Sequence, residues 1–350
     1  MSRTLKVTQA IGEALDIAMA RDKRVYIMGL GATDPRGLFG TTVGLEKKYG
    51  SRILDMPTAE NGMTGIATGS ALVGMRPILM HQRLDFALLS MDQIATQAAK
   101  WCYMFGGQQG IPLVIRIVIG RGWGQGPQHS QSLQAWFGHI PGLKVVMPVT
   151  AEDFKGLLLA SIEDNNPVIF IEHRWLHNIS GTVPKGYYTT PIGKLRVVRS
   201  GKDITIAATS HMVLEAIRAA ESLAKAGVSA EVLDMRTIRP LDEKGLLRSV
   251  RKTGRLIAAD TGVLQGGLAS DLVAIASERA FKDLKAAPRR FGQADCPVPT
   301  AQNLSPLCYP TASDLATAAA EAVGLNLKRL DLPRPAEPRD LPDKSFTGPF

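Results

Sequence analysis

Cysteine is scarce in this 350-residue chain: it has three, Cys102, Cys296 and Cys308, far apart in sequence. An odd, scattered set excludes a disulfide-stapled secreted scaffold, and the spacings match no zinc-ligand pattern. The usage suits a reducing cytoplasm, and the absence of any Cys-x-x-Cys cluster excludes iron–sulfur chemistry. Aromatic residues are also few, at 6%. They do not interleave with the Lys and Arg residues, which are scattered, so the formal charge of +9 does not mark a nucleic-acid surface. No apolar run is long enough to span a bilayer. The stretch Met1 to Asp22 has no basic head followed by an apolar block, so it is not a secretory signal. No repeat of solenoid length is present, and nowhere in the chain does Gly follow Asp.

What is present is an alternation of short apolar runs with helical segments. The length and a hydrophobic fraction of 45% allow two domains, each with its own core. Met1 to Asp22 reads as an amphipathic helix. Arg24–Met28, Arg52–Met56, Pro77–Met80, Leu113–Ile119, Val145–Met147 and Val168–Glu172 read as buried strands. Thr64–Gly74, Met91–Tyr103 and Ala151–Glu163 read as helices between them. Continuous apolar strands with helical crossovers predict a doubly wound, mostly parallel α/β sheet. The pattern breaks after His173, predicting a first domain over 1–185 and a linker over 186–202. A second α/β domain follows over 203–326, with a helix at Met212–Ala226 closed by Gly227 and a long one at Leu268–Leu284. Residues 327–350, rich in Pro and charge, predict an extended tail.

The most informative segment is Pro57-Thr58-Ala59-Glu60-Asn61-Gly62-Met63-Thr64-Gly65. It sets one carboxylate, Glu60, at the mouth of a helix of small residues. Such packing predicts poor hydration of the acid, which would push its pKa up and let it share a proton. Complementing the helix dipole is the simpler reading. Further on stand Arg76-Pro77-Ile78, Met91-Asp92-Gln93-Ile94, Gly106-Gly107, Gln128-His129-Ser130-Gln131-Ser132, His139-Ile140-Pro141-Gly142-Leu143-Lys144-Val145-Val146 and Asp164-Asn165-Asn166-Pro167. In this order and spacing they resemble the beta subunit of the thiamine diphosphate-dependent first component of 2-oxoacid dehydrogenase complexes, of pyruvate, branched-chain or acetoin type. They are more distantly similar to the middle and last domains of transketolase. The resemblance runs from about Thr4 to about Gly324.

That resemblance implies a transketolase-like pyrimidine-binding domain followed by a transketolase C-terminal-like domain. It implies thiamine diphosphate held between an alpha and a beta chain, with Glu60 bonded to the aminopyrimidine ring. Proton sharing there favours the imino tautomer that makes the thiazolium carbon a nucleophile. A carboxylate suits this role because it can donate and accept in turn, which Gln cannot. Phe86 corresponds to the aromatic that packs on the pyrimidine, although an ordinary core Phe reads equally well. His129, in a Gly-rich loop, corresponds to a substrate or acid–base histidine; a solvated loop His is the alternative. Asp164, Asn165 and Asn166 end a helix before Pro167. The resemblance adds a monovalent-cation site, potassium for instance, made by Asp164 and Asn166 with carbonyls of Leu113, Ser161 and Ile162.

The missing Asp-Gly dipeptide gains meaning here. The family's enzymes hold the diphosphate through magnesium with a Gly-Asp-Gly motif, so magnesium must be ligated by a partner. An alpha chain is implied, in a two-alpha, two-beta assembly, together with a lipoyl acyltransferase as a further partner. The chain also departs from the resembled pattern. Met28-Gly29-Leu30-Gly31 replaces acidic residues after the first strand. Arg121-Gly122-Trp123-Gly124 is bulkier and more basic than expected, and Arg83 replaces a neutral residue. Arg121 and Arg83 are therefore candidates for recognising an acidic or phosphorylated substrate, solvent-facing or interface arginines being the alternative. Basic residues over Lys282 to Arg290 stand where an acid would serve docking. Three readings follow: an oxidative 2-oxoacid decarboxylase subunit, half of a split transketolase-like or acyloin-forming enzyme, and a non-catalytic scaffold. Intact Glu60 and His129 oppose the scaffold.

Overall fold

The computed structural model describes residues 2–122 and 124–333. Trp123 and the greater part of the expected tail lie outside the described residues. The chain divides into two compact units, the first built from residues 1–120, 128–130 and 136–192 and the second from 121–127, 131–135 and 193–350.

The first unit opens with strand β1 (Ser2–Lys6) and helix α1 (Val7–Arg21). The expected N-terminal helix therefore starts later than its amphipathic pattern suggests. The reason is nonlocal: β1 pairs antiparallel with β8 (Ser180–Pro184), in residues that read as the approach to a linker. Helix α1 then buries Val7, Ala10, Ile11, Ala14, Leu15, Ala18 and Met19 along one face, the spacing of an amphipathic helix.

The parallel strands are β2 (Val25–Gly29), β3 (Ile53–Leu54), β4 (Arg76–His81), β5 (Val114–Ile119), β6 (Lys144–Val146) and β7 (Val168–His173). They lie in the order β6–β7–β5–β4–β2–β3. β5 and β7 are buried along their whole length, as a sheet covered on both faces requires.

Five helices belong wholly to this unit after α1: α2 (Leu45–Tyr49), α3 (Glu60–Leu72), α4 (Leu84–Ala87), α5 (Ala99–Met104) and, beyond α6 (Gln134–His139), α7 (Ala151–Glu163). The expected helix Met91–Tyr103 is split, because Asp92–Ala98 forms a wider π-type turn before α5 begins. Helix α3 packs against β4 and against this turn, where the bare Cα of Gly65 lets the Gln93 side chain come close. Helix α7 is capped by the Thr150 hydroxyl, which accepts from the Asp153 amide.

The second unit contains β9 (Arg196–Arg199), β10 (Ile204–Ala208), β11 (Ala230–Asp234), the short β12 (Thr237–Arg239), β13 (Leu256–Val263) and β14 (Arg289–Gln293). Its sheet runs β14–β13–β10–β11–β9, parallel except for β9. Helices α8 (Met212–Lys225), α9 (Glu243–Thr253), α10 (Leu268–Arg279) and α11 (Ala312–Ala322) accompany it. Gly227 adopts φ 89° just beyond α8 and Gly254 φ 73° beyond α9, left-handed positions that end helices. Helix α10 stops short of the expected Leu284. Ala280, at φ −134° and ψ 21°, leaves the helical path, a short turn follows over Phe281–Asp283, and Lys285 then donates its backbone N–H to the Gly254 carbonyl at 2.7 Å.

The start of the tail is anchored. Ser313 donates to the Pro333 carbonyl at 2.7 Å, Ser222 donates to that of Asp331, and Leu330 is buried.

Candidate active site

In the first unit the loops after β2, β3, β4, β5 and β7 emerge at the carboxyl ends of parallel strands, where α/β sheets bind ligands. Glu60 is the first residue of α3. Its side chain is half-buried, and its carboxylate has no hydrogen-bond or ion-pair partner among the described residues. The neighbouring Ala59, Asn61 and Gly62 are exposed, so the helix mouth is more open than the small-residue pattern predicted. The Thr64 hydroxyl donates to the Glu60 carbonyl at 2.8 Å and lies 3.2 Å from His81 Nε2. Burial pushes His81 down to about pKa 4, so its ring is neutral. With the Thr64 proton already committed, His81 must carry its own proton on Nε2 and donate to Thr64. Its Nδ1 is then a buried acceptor without a partner among the described residues.

Phe86 lies in α4, just beyond β4, and meets His129 edge-on, with ring centroids 5.3 Å apart and planes at 87°. Both rings are half-buried. The two aromatic candidates are thus brought together, although 43 positions separate them in the numbering.

Arg83 behaves differently from a surface arginine. It is 3% exposed, donates to the Gly120 carbonyl at 2.7 Å and lies 5.9 Å from the centre of the Phe39 ring. Burial, and then the nearby Arg174 guanidinium, lower its pKa to about 10. Its fixed contact joins the chain after β4 to the end of β5. Phe39 itself adopts φ 48°, a left-handed conformation rarely tolerated by a side chain of this size, and also stacks under Arg174 at 4.9 Å.

Arg121 groups with the second unit. Its guanidinium donates to the Gln125 carbonyl at 2.9 Å and to the Thr300 carbonyl at 2.5 Å. Like Arg83, it spends donors on backbone. In the same unit Gln134 donates to the buried carboxylate of Asp260 at 2.9 Å, and burial raises the Asp260 pKa. Sequence reasoning passed over this anchor.

The proposed cation ligands gather at one turn. The Leu113 carbonyl accepts from the Val168 amide at 2.9 Å, and the Ile162 carbonyl from Arg76 at 2.8 Å. Asp164 pairs with Lys144 and accepts from the Asn166 amide at 2.9 Å. Ser161 donates to Leu157 at 2.7 Å. Arg76 and Lys144 thus supply positive charge at this turn. Among the described residues, no group of three or more His, Cys, Asp or Glu side chains forms a metal centre. No described helix is long and apolar enough to cross a membrane.

A second polar cluster lies beneath these loops. Arg116 in β5 donates to Glu172 of β7 at 2.6 Å and to Thr41 at 3.1 Å. Burial works to raise the Glu172 pKa, but the Arg116 charge and the His177 hydrogen bond hold it at about 2. His177, whose pKa burial lowers, is neutral; it gives Nε2–H to Glu172 at 3.0 Å and takes a bond from Arg174 on Nδ1 at 3.2 Å. The signal was present in the sequence: one Arg and one Glu inside otherwise apolar strand runs.

Two family models match the chain. The transketolase pyrimidine-binding domain matches residues 3–178, and the transketolase C-terminal domain matches residues 193–315. A split-gene transketolase solved as an inactive beta4 tetramer has the same fold, with TM-score 0.75 and 23% identity, over 92% of this chain and 99% of that one. These findings define the class, a transketolase-type protein of two α/β domains. Closer relatives narrow it. The beta subunit of acetoin:2,6-dichlorophenolindophenol oxidoreductase from Cupriavidus necator is 43% identical, over 92% of this chain and 98% of its own length. The mitochondrial pyruvate dehydrogenase E1 component subunit beta from Pisum sativum is 41% identical, over 92% and 91%. The chain belongs to the beta-subunit family of the thiamine diphosphate-dependent 2-oxoacid dehydrogenase and acetoin oxidoreductase enzymes.

Proposed function

We propose that this chain supplies the half of a thiamine diphosphate site that holds the aminopyrimidine, while an alpha chain supplies the half that holds the diphosphate through magnesium. The observation that carries this reading is the Glu60 carboxylate, half-buried at the first turn of α3 and unpartnered among the described residues. It is placed to hold and return a proton at a ring nitrogen. Phe86 offers a half-buried ring surface for the pyrimidine, and His129, edge-on to it, moves a proton at the substrate. When bound, the cofactor supplies the electron sink for decarboxylation of a 2-oxo acid, and the acyl group passes to a lipoyl carrier. Arg83 and Arg121 act on substrate choice by fixing the loops that carry them rather than by reaching out. If a potassium-like cation binds, Asp164 and Asn166 with the carbonyls of Leu113, Ser161 and Ile162 would hold it, in competition with the Arg76 and Lys144 charges already at this turn. The cysteine usage suits a reducing cytoplasm.

The absence of Asp-Gly makes the chain dependent on its partner. Exposed apolar side chains support the same point: Ile66 on α3 is 58% exposed, Val73 just beyond its end 81%, and Tyr103 on α5 90%. An isolated soluble chain has little reason to leave such side chains in water. The chain alone is expected to bind thiamine diphosphate weakly and to gain magnesium-dependent binding with the alpha chain. Calorimetric binding at micromolar affinity by the isolated chain would refute this.

A non-oxidative, transketolase-like or acyloin-forming activity is the second reading, favoured by one surface. Lys282, Lys285, Arg289 and Arg290 are all exposed. Facing a basic docking domain of an acyltransferase, like charges slow encounter and weaken binding. Surface plasmon resonance should detect no docking on a basic binding domain. Tight docking that is lost on charge reversal at Lys285 and Arg289 would overturn this reading.

A further inference from the structure

Cys296 and Cys308 stand far from the acid–base residues in sequence, and nothing in the proposed chemistry uses them. Both belong to the second unit, and their sulfur atoms lie 3.9 Å apart. Cys296 is exposed, whereas Cys308 ends the turn Ser305–Cys308 and is buried. The backbone holds them in this relation. The Ala294 amide donates to the Cys308 carbonyl at 2.9 Å, and the Cys296 amide donates to the Ala294 carbonyl at 2.8 Å. The two sulfurs are already in contact and must close by only about 2 Å to reach bonding distance.

We propose that Cys296 and Cys308 are an oxidative modification site, a thiol pair that a hydroperoxide converts to a disulfide and that thiol reductants restore. Exposure makes Cys296 the attacking sulfur. Its thiolate attacks one peroxide oxygen, the O–O bond breaks, and the leaving hydroxide takes a proton to become water, giving a sulfenic acid. Cys308 sulfur then attacks Cys296 sulfur, the S–O bond breaks, and a second water departs with the Cys308 proton. Two thiols lose two electrons, and the peroxide gains them. Burial pushes the Cys308 thiol up, so it is the resolving rather than the sensing group.

The bond would act on a loop that matters. It closes the segment 296–308, which includes Thr300. The Thr300 carbonyl holds the Arg121 guanidinium at 2.5 Å, and the same guanidinium charge is felt at the Cys308 sulfur. The Thr300 hydroxyl lies so near Gly126 that a Cβ there would come within 2.2 Å of it. Oxidation therefore stiffens the contacts that Thr300 makes with Arg121 and Gly126.

The test treats the full chain, assembled with its alpha partner, with hydrogen peroxide. Peptide mass mapping should find Cys296 joined to Cys308 with a loss of about 2 Da. Under denaturing conditions the titratable thiols of this chain should fall from three to one, and dithiothreitol should restore them. Cys308→Ser should stop at a sulfenic acid on Cys296 that dimedone traps, and Cys296→Ser should keep both remaining thiols. Limited proteolysis near Gln125 should slow on oxidation in the wild type and not in Cys296→Ser. Three thiols surviving peroxide, a bond from Cys296 to another chain or to Cys102, or sulfinic acid at Cys296 with Cys308 free would each overturn the pairing. Unchanged proteolysis of the cross-linked protein would overturn the coupling to the Arg121 loop. None of these readouts depends on the catalytic role of Glu60, so the two proposals fail separately.

Discussion

Glu60→Gln, assembled with its alpha partner, should fold and bind cofactor yet lose more than the roughly 10²–10⁴-fold in rate that an ordinary acid–base group supplies. The amide can donate one hydrogen bond to a ring nitrogen but cannot take the proton back, so the loss falls on activation rather than on binding. The side chain is half-buried, and its carboxylate has no protein partner among the described residues, so the substitution breaks no contact that supports α3. Stability should therefore change little. Exchange of the thiazolium proton, followed by NMR in the assembled protein, reads the step directly. An exchange rate equal to wild type would remove Glu60 from this role.

Arg116→Met should be the most damaging single change to the first unit. It leaves the Glu172 carboxylate fully buried with only neutral His177 beside it. Breaking one side of a buried pair costs about 3–5 kcal/mol. In a unit of this size each kcal/mol moves the melting temperature by about 2–4 °C. Adding Glu172→Leu should recover much of that loss, because the stranded charge is then gone. Calorimetric melting of the single and double variants measures both effects, and an unaltered single variant would show that the pair contributes nothing. The acid dependence has a definite sign. Glu172 sits at about 2 in the folded chain, below the roughly 4.3 of a free Glu. The stabilisation is therefore fully present above the free value and is lost as the pH falls from about 4.3 toward 2. Glu172→Gln should flatten that part of the stability profile.

The alternation of apolar runs and helical segments made the α/β class legible, because a strand buried on both faces leaves a nearly unbroken hydrophobic signature. β5 and β7 were readable for this reason, and so were α7 and α8, the latter with Gly227 beyond it. β1 was not. Its five residues carry no period that separates them from the helix that follows, and only β8, distant in sequence, draws them into an extended conformation. The end of α10 was hidden because the chain leaves the helical path at Ala280, a residue type that favours helices rather than breaks them. β9 (Arg-Val-Val-Arg) and β12 (Thr-Ile-Arg) are bounded by charged residues and hold too few apolar ones to register as buried runs.

The candidate site divides along the same line. The family resemblance named Glu60, Phe86 and His129 as candidates, and through it the missing Asp-Gly implied a partner before any geometry was known. Those are covalent facts, carried by residue type and position alone. Burial and partnership are not. Arg83 and Arg121 read either as recognising an acidic substrate or as solvent-facing or interface arginines, and folding bonds both to backbone carbonyls at Gly120, Gln125 and Thr300. His81 stood just past the run Pro77–Met80, and only packing buries it as a neutral ring bonded to Thr64 next to the Glu60 turn. Cys296 and Cys308 counted as stray thiols until the loop between them folded back and set their sulfurs in contact. The chain's own order of residues thus settles which chemical groups are present and which are lacking. Which of them are desolvated, paired or brought together depends on long-range packing, because hydration and contact are set by neighbours remote in sequence.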